Sequence, residues 1–479
     1  MSNAHANRTR LVNARLSPSS HRSADLLQSQ YVWWQQAPDV NAPSARYPFE
    51  VTLYQGAIEY IFVLSMKAHG VVVERSIVPT SLELSESKEE LKDPNAPDAG
   101  DLEIVHAKFV LGADGAHSWV HKMLGIMLDG EQMGYIWGVV EMVHDTDFPD
   151  MRSKSVVHSH NGSHMVDLHE GDLPDHGPEQ VAKKSFAPHR IDKPEGHFDW
   201  WTLHIIGQRR KFIAGDACHT HSPEGGQGMI ASMNDTHNLA WRLTHVLCGW
   251  TDISEDLQAR ASEESHNGVT HEEAFQTFSL FTSGIGVRYK PSPITAYHYQ
   301  SVASKLIMGE HRVIPHNFIR VADARPYNIR DLAPSDARFK VLVFAGNTPD
   351  KAQAARGQAL ADEMAQPDSF LARFGKGDSA KMYVWSISAA KKQDVNYIDL
   401  PPLFRPHCSH VLLDDTDMYA RGGYDAYSVD KQEGVIVIVR PNDHVDMVAR
   451  FERIKDVDAY FACSMTLTWT REGLTCNCG

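Results

Sequence analysis

The first 48 residues contain no glycine, although the whole chain of 479 residues has 32. A loop that cradles phosphate between a strand and a helix needs several glycines, so this segment cannot supply one. Cysteine is also scarce. The six cysteines include no Cys-x-x-Cys pair, and this excludes the usual dithiol redox centre.

Basic residues and long apolar runs are also in short supply. The chain has 46 basic against 61 acidic residues and a net charge of −15, the opposite of the basic footprint of nucleic-acid binding. The same charge gives no attraction to anionic lipid. No run of 18 apolar residues is present, and the polar N-terminus lacks the apolar core of a signal peptide. We therefore expect a cytoplasmic protein with neither a nucleic-acid nor a membrane partner.

Histidine is abundant, with 27 residues, and close pairs such as His219 and His221 suggest metal binding. Zinc sites need three or four ligands, and the sequence has neither H-E-x-x-H nor paired cysteines. Partly exposed loop histidines are the simpler interpretation, so no metal site is predicted. A G-x-S-x-G elbow is missing too, which disfavours a hydrolase.

The most informative stretch, 212–247, has the pattern of a strand, a tight turn and a long helix. Phe212 to Ala214 predict the strand, and Gly215-Asp216 the turn. Glycines just before and inside the helix would let a ligand approach its free N–H groups. Apolar residues then recur every three or four positions, which predicts one buried helical face: Met229, Met233, Thr236, Ala240, Leu243 and Leu247.

The segment 226–231 also matches G-x-G-x-x-G/A. Polar residues precede it and one unbroken helix follows, so it does not predict a Rossmann loop. A second motif lies at 109–125, FVLGADGAHSWVHKMLG. Phe109 to Leu111 predict a short buried strand, Gly112 and Gly115 bracket an aspartate in a turn, and Ser118 is placed to cap the helix that follows.

In this order the two motifs resemble the Asp-Gly motif and the second FAD-binding motif of the FAD-dependent aromatic hydroxylases of the phenol 2-monooxygenase and 3-hydroxybenzoate 4-hydroxylase type. The segments 49–63, 283–291 and 320–325 resemble the same family. The resemblance implies a monooxygenase that uses FAD, NADPH and O2 to hydroxylate a phenolic or other aromatic substrate, in aromatic catabolism or secondary metabolism. Which aromatic substrate it takes is not predicted.

The resemblance also implies a set of cofactor-binding residues. They are Gln55, Asp114, Gly115, Asp216, Pro223, Gly226, Gly228 and Met229. No catalytic base is assigned by this pattern, and Arg152 and Tyr289 stay open as candidates. The family's opening glycine-rich unit has no counterpart here. The alternative is therefore a catalytically inactive, truncated paralogue that acts as a scaffold or binding protein.

The predicted fold class is α/β (α+β), an incomplete FAD-binding hydroxylase fold followed by a thioredoxin-like domain. Its segments would be a divergent 1–48, an FAD-binding and substrate domain at 49–330, and a thioredoxin-like domain without Cys-x-x-Cys at 335–479. In that last part, apolar runs predict strands and a longer stretch predicts a helix: Lys340–Phe344, Val411–Leu413, Val435–Val439 and, helical, Lys351–Phe374. Such a domain suits a homodimer contact. The polar stretch 167–197 predicts a loop.

Overall fold

The computed structural model describes 9–12, 34–37, 46–47, 53, 55–84, 103–125, 137–141, 145–148, 155–159, 162–166, 189–192, 200–204, 207–208, 214–220, 227–251, 302, 305–306, 312–375, 380–415 and 422–465. The chain forms two compact units. One comprises Met1–Val40 with Tyr47–Met233, and the other Asn41–Arg46 with Asn234–Gly479. The domain limits predicted from the sequence stay a prediction.

The first unit contains ten short strands among its described residues. In chain order they are β1 (Thr9–Val12), β2 (Trp34–Ala37), β3 (Trp137–Glu141), β4 (Asp145–Thr146), β5 (Ser155–Ser159), β6 (Gly162–Val166), β7 (Ile191–Asp192), β8 (Trp200–His204), β9 (Gly207–Gln208) and β10 (His219–Thr220). One sheet has the order β2-β1-β5-β6, with β1 and β5 parallel. The pairs β3-β8, β4-β7 and β9-β10 are antiparallel.

Two sequence predictions for the first unit are wrong in part. The stretch predicted as a loop contains β7, because Ile191 and Asp192 pair with β4. The segment Phe109 to Leu111 is not a buried strand: it forms no regular secondary structure, and the Val110 side chain is 45% exposed. Only the next residue, Gly112, makes a bridge.

Among the described residues of the first unit, three helices begin: α1 (Gln55–Ala68), α2 (Trp119–Met123) and α3 (Gln227–Leu247). Helix α3 confirms the predicted long helix. Its predicted buried face is wrong: Met229, Ala240 and Leu247 are exposed, and Trp241 and His245 are buried instead. The division between the two units falls inside this helix, after Met233. Across the described residues, no helix combines the length and the apolar composition that crossing a bilayer requires.

The second unit is built on one mixed sheet of seven strands in the order β12-β11-β15-β14-β13-β16-β17. These strands are β11 (Asn317–Arg320), β12 (Arg325–Asn328), β13 (Phe339–Gly346), β14 (Met382–Ser388), β15 (Val411–Leu413), β16 (Val435–Val439) and β17 (Val445–Ala449). Strands β13, β14 and β15 are parallel to one another, and the remaining pairs are antiparallel. The three predicted strands are confirmed, with β13 slightly longer than expected.

Five helices lie beside this sheet in the part of the second unit that the structure describes. They are α4 (Ile329–Leu332), α5 (Lys351–Met364), α6 (Phe370–Phe374), α7 (Gly423–Tyr427) and α8 (Ile454–Ser464). The single predicted helix at 351–374 is instead two, because Pro367 disfavours helical backbone in the residue before it. The hydroxyl of Ser369 then accepts a hydrogen bond from the Ala372 amide at 3.1 Å and caps α6.

The connection β13-α5-β14 followed by β16-β17-α8 is a thioredoxin-like arrangement, and the predicted fold class is confirmed. Every residue of β13 is buried, as expected for a central strand covered on both faces. Val341 and Val343 face one hydrophobic cluster, while Leu342 and Phe344 face the other. The core of this unit therefore lies on both sides of the sheet.

Candidate functional site

The two sequence motifs lie side by side in the first unit. The amide of Ala214 donates a hydrogen bond to the carbonyl oxygen of Gly112 at 2.9 Å. A few residues further along each motif, Ala217 packs with Val120 of α2 in a small hydrophobic cluster. Ala214, directly before Gly215, is therefore fixed against the turn that holds Asp114, although the motifs are far apart in the chain. Phe212 and Ile213, predicted to form a strand, lie outside the described residues.

Asp114 is held by the start of α2. Its Oδ2 atom accepts hydrogen bonds from the amides of Trp119 and Val120 at 2.6 and 3.0 Å. Burial acts to raise the pKa of Asp114, but hydrogen bonds from Ser118 and these amides together lower it below its usual value. Ser118 caps α2 as predicted, since its Oγ atom accepts from the His121 amide at 3.2 Å. The Asp114 carboxylate therefore has a structural partner of its own.

Gly115 presents an open stretch of backbone. Its φ of +79° lies in the left-handed region that favours glycine. A Cβ atom built on it would meet no heavy atom within 4 Å. The glycine is therefore required by the turn, and its open side leaves room for a ligand to approach the backbone.

The Gly215-Asp216 turn rests on α3. Gly215 also has a positive φ, +62°, and begins a short 3-10 turn closed by the Cys218 amide donating to the Gly215 carbonyl at 2.7 Å. A Cβ atom at Gly215 would lie 2.8 Å from Ser232 Oγ. Asp216 is partly exposed, and its carboxylate makes no hydrogen bond or ion pair with any described residue. It is available to accept hydrogen bonds from a ligand.

The start of α3 supplies free amide groups. Gly228 is its second residue, and Met229, 43% exposed, is its third. Amides in a first helical turn have no carbonyl of their own helix to bond, and they carry the positive end of the helix dipole. Pro223 and Gly226, also predicted to bind the cofactor, lie outside the described residues. So do Arg152 and Tyr289.

Gln55 is the first residue of α1 and is exposed. Within the described part of the chain no hydrogen bond links it to the paired turns, so its place beside the cofactor stays a prediction. Within the same residues, no group of three histidine, cysteine, aspartate or glutamate side chains is placed to hold a metal ion.

Two further residues hold this site together: Gly112, which the sequence predicted only as part of the turn, and Ser232, which sequence reasoning missed. Gly112 supplies the carbonyl that fixes Ala214, and Ser232 supports Gly215. One feature of the sequence could have pointed to Ser232: it lies four residues after Gly228, which places both residues on one helical face. Nothing in the sequence indicates that this face meets Gly215.

The paired turns combine an aspartate acceptor, an open glycine backbone and the positive end of a long helix. A polyhydroxyl chain needs acceptors, and an anionic ring edge is stabilised by helix amides. These features fit the ribityl chain and ring of a flavin.

The comparisons with known proteins agree with this geometry. Residues 19–169 and 204–273 match the model of the FAD binding domain, and residues 287–468 match that of the phenol hydroxylase C-terminal dimerisation domain. A phenol 2-monooxygenase of Aspergillus fumigatus is 30% identical over 421 residues, which cover 75% of this chain and 70% of the relative. The chain belongs to the FAD-dependent aromatic hydroxylase family.

A second relative agrees with this family in sequence, and a solved structure agrees with it in fold alone. A 3-hydroxybenzoate 4-monooxygenase of Comamonas testosteroni is 29% identical over 454 residues, covering 78% of the chain and 70% of the relative. The structure of aklavinone-11 hydroxylase with FAD and aklavinone has a TM-score of 0.51 at 17% identity, covering 85% and 77% of the two chains. The predicted family and enzyme class are confirmed, with FAD as the cofactor. The alternative of an inactive scaffold is not favoured.

Proposed function

We propose that the paired turns, at Gly112 to Gly115 and at Gly215-Asp216, form the flavin-binding part of an enzyme that hydroxylates a phenolic ring. The observation that carries this proposal is the hydrogen bond from the Ala214 amide to the Gly112 carbonyl, which joins the two motifs beside the start of α3. When bound, FAD would supply the redox chemistry, in which NADPH is the reductant, one oxygen atom of O2 is transferred to the ring and the other leaves as water.

Each residue near the turns has a separate task in this proposal. The Asp216 carboxylate accepts hydrogen bonds from ribityl hydroxyls, since no described residue occupies it. The amides at Gly228 and Met229 stabilise negative charge at the ring edge, where a fixed dipole costs no reorganisation. Gly115 has no side chain, so the ligand can approach its backbone.

Asp114 acts indirectly in this scheme. Its Oδ2 atom is occupied by the amides of Trp119 and Val120, so it shapes the turn that presents Gly115. Gln55, Pro223 and Gly226 remain proposed contacts, by resemblance to the family. The phenolic substrate class is proposed from the relatives, which are a phenol 2-monooxygenase and a 3-hydroxybenzoate 4-monooxygenase. No described side chain is assigned as the base.

The first experiment is to incubate the purified protein with FAD, remove free flavin on a desalting column and record the visible spectrum. Retained flavin, followed by NADPH oxidation that phenols accelerate, is the expected result. A colourless protein after saturation with FAD would contradict the proposal.

Replacement of the Asp216 carboxylate gives a sharper test. Asp216→Asn keeps the size of the side chain but removes its charge, and a hydrogen bond to a charged group contributes about 1.5–3 kcal/mol. We expect FAD to bind about 10- to 150-fold more weakly, as measured by quenching of flavin fluorescence. The matched control, Asp394→Asn, changes an exposed aspartate of the second unit and should bind FAD like the wild type. Equal affinities for wild type and D216N would remove Asp216 from the site.

The second unit supports a proposal about assembly. Because residues 287–468 match a C-terminal dimerisation domain, we infer that the enzyme is a homodimer, and sedimentation equilibrium should give twice the chain mass of 53.6 kDa. A monomer at micromolar concentration would contradict this. A cytoplasmic location stays an expectation.

A further inference from the structure

We propose that Ser232 is a positioning residue of the flavin site and that its small size sets the distance between Asp216 and the start of α3. This inference rests on the proposed function of the paired turns. It concerns a residue that itself contacts protein backbone, and its effect on the cofactor is exerted through Gly215.

Ser232 is the surface on which the turn rests. The three heavy atoms nearest to a Cβ built on Gly215 all belong to Ser232: Oγ at 2.8 Å, Cβ at 3.1 Å and Cα at 3.8 Å. Real Cβ atoms essentially never approach other heavy atoms as closely as the first of these distances. Gly215 therefore lacks a side chain for two reasons, its φ of +62° and its contact with α3.

The Ser232 side chain is fixed in direction. Its Oγ atom donates a hydrogen bond to the Gly228 carbonyl at 2.7 Å, one helical turn earlier. Such back-bonding to the i−4 carbonyl is typical of serine within helices. It ties the residue under the turn to the same glycine whose amide is proposed to face the ring.

The turn is also held on its other side. The Ala214 amide bonds Gly112, and Ala217 is fully buried against Val120. Gly215 and Asp216 thus lie between two fixed neighbours and cannot retreat from a larger side chain at position 232 without breaking one of these contacts. Added volume there must move either the carboxylate or the start of the helix, and both belong to the proposed flavin site.

Two substitutions separate size from hydrogen bonding. Ser232→Ala removes the Oγ atom but keeps the Cβ atom, which lies 3.1 Å from the Cβ built on Gly215, and FAD affinity should stay within about threefold of the wild type. Ser232→Val adds bulk against Gly215, and FAD should bind about tenfold more weakly or worse. The absorption bands and fluorescence of the remaining bound flavin should shift as well. Ala240→Val, the same β-branched residue at an exposed position of α3, is the control and should match the wild type.

A double-mutant cycle gives a readout that does not need the cofactor. Gly215→Ala should lower the melting temperature, and Ser232→Gly in the same chain should restore part of the loss by making room for the new methyl group. Substitutions of residues in contact are not additive. Full additivity of the two changes would show that residues 215 and 232 do not press on each other and would overturn the inference.

The FAD-binding and melting experiments test the role of Ser232 separately from the proposed flavin-binding function. A wild-type protein that retains no FAD overturns the proposed function and, with it, the role of Ser232. A wild-type protein that retains FAD, with an S232V variant of equal affinity and identical flavin spectrum, overturns only the role of Ser232. Weaker binding in S232V, normal binding in S232A and a recovered melting temperature in the double variant support it.

Discussion

Asp446→Asn is expected to lower the local stability of the second unit by about 3–5 kcal/mol, the usual cost of removing one partner from a buried ion pair. Asp446 lies on β17 and Arg440 directly follows β16. Both side chains are fully buried, and Arg440 Nε lies 3.3 Å from Asp446 Oδ1. The substituted amide keeps the shape of the side chain but cannot balance the buried guanidinium.

The negative charge of the Asp446 carboxylate depends on its neighbours. The hydroxyl of Tyr460 on α8 donates a hydrogen bond to its Oδ2 atom, and Arg242 of α3 is near enough to act on its charge. Burial raises the pKa of Asp446 to about 6, although Arg440, Tyr460 and Arg242 oppose that shift. The measurement therefore belongs at pH 8, where the carboxylate is ionised.

Hydrogen exchange read by mass spectrometry on the peptides that cover 435–449 measures this local stability directly. The control is Asp425→Asn, which breaks the exposed pair of Asp425 and Lys431, 3.4 Å apart. A surface pair of this kind contributes about 1 kcal/mol or less, so exchange should hardly change. Equal protection of β16 and β17 in the wild type and in D446N would show that the sheet tolerates Arg440 without this carboxylate.

The sequence predicted those strands of the second unit that are continuous apolar runs. Val411–Leu413 and Val435–Val439 were predicted with the observed limits because every side chain in them is apolar, as burial on both faces requires. Strand β14 was missed because it contains polar residues. Ser386 and Ser388 are fully buried there, and their hydroxyls bond the carbonyls of Phe404 and Gly346. Those partners are distant in the chain, so no local pattern indicates them.

At the flavin site, too, local features of the backbone could be predicted from the sequence, whereas contacts between distant residues could not. The turns at Gly115 and Gly215 were predictable because a positive φ is a local requirement that glycine meets. The hydrogen bonds that Asp114 accepts from α2 were not predicted, since an aspartate near a helix start serves equally well as a cap or as a ligand contact. The contact of Gly215 with Ser232 depends on how a turn and a helix pack. Spacing along the chain does not contain that information.

His245 is the group expected to make the second unit sensitive to acid. It lies on α3, is 2% exposed, and its Nε2 atom is 2.7 Å from the Ala337 carbonyl oxygen. The rings of Trp241 and Trp250 are each 5.1 Å from its own. Burial lowers the pKa of His245 to about 4, and its hydrogen bond to the Ala337 carbonyl only partly offsets this shift.

The sign of the pH effect follows from that lowered pKa. Between pH 6.5 and pH 4 the unfolded chain binds a proton at His245 that the folded chain does not, so folding loses stability as the pH falls through this window. A shift of one pKa unit corresponds to about 1.4 kcal/mol. The loss should therefore approach about 3 kcal/mol at pH 4. Asp446 acts in the opposite direction, because its raised pKa contributes stability that is lost as the pH rises towards 6.

Comparison of the wild type with His245→Gln isolates the histidine, because the contribution of Asp446 is common to both proteins and cancels. Glutamine does not titrate and offers an N–H group for the Ala337 carbonyl. From pH 7 to pH 4 the free energy of unfolding, measured in urea, should fall about 3 kcal/mol further in the wild type than in H245Q. His106→Gln removes an exposed histidine instead and should follow the wild type. Equal losses in the wild type and H245Q would mean that the folded protein admits a proton to His245, so that burial beneath Trp241 and Trp250 does not exclude the charged ring.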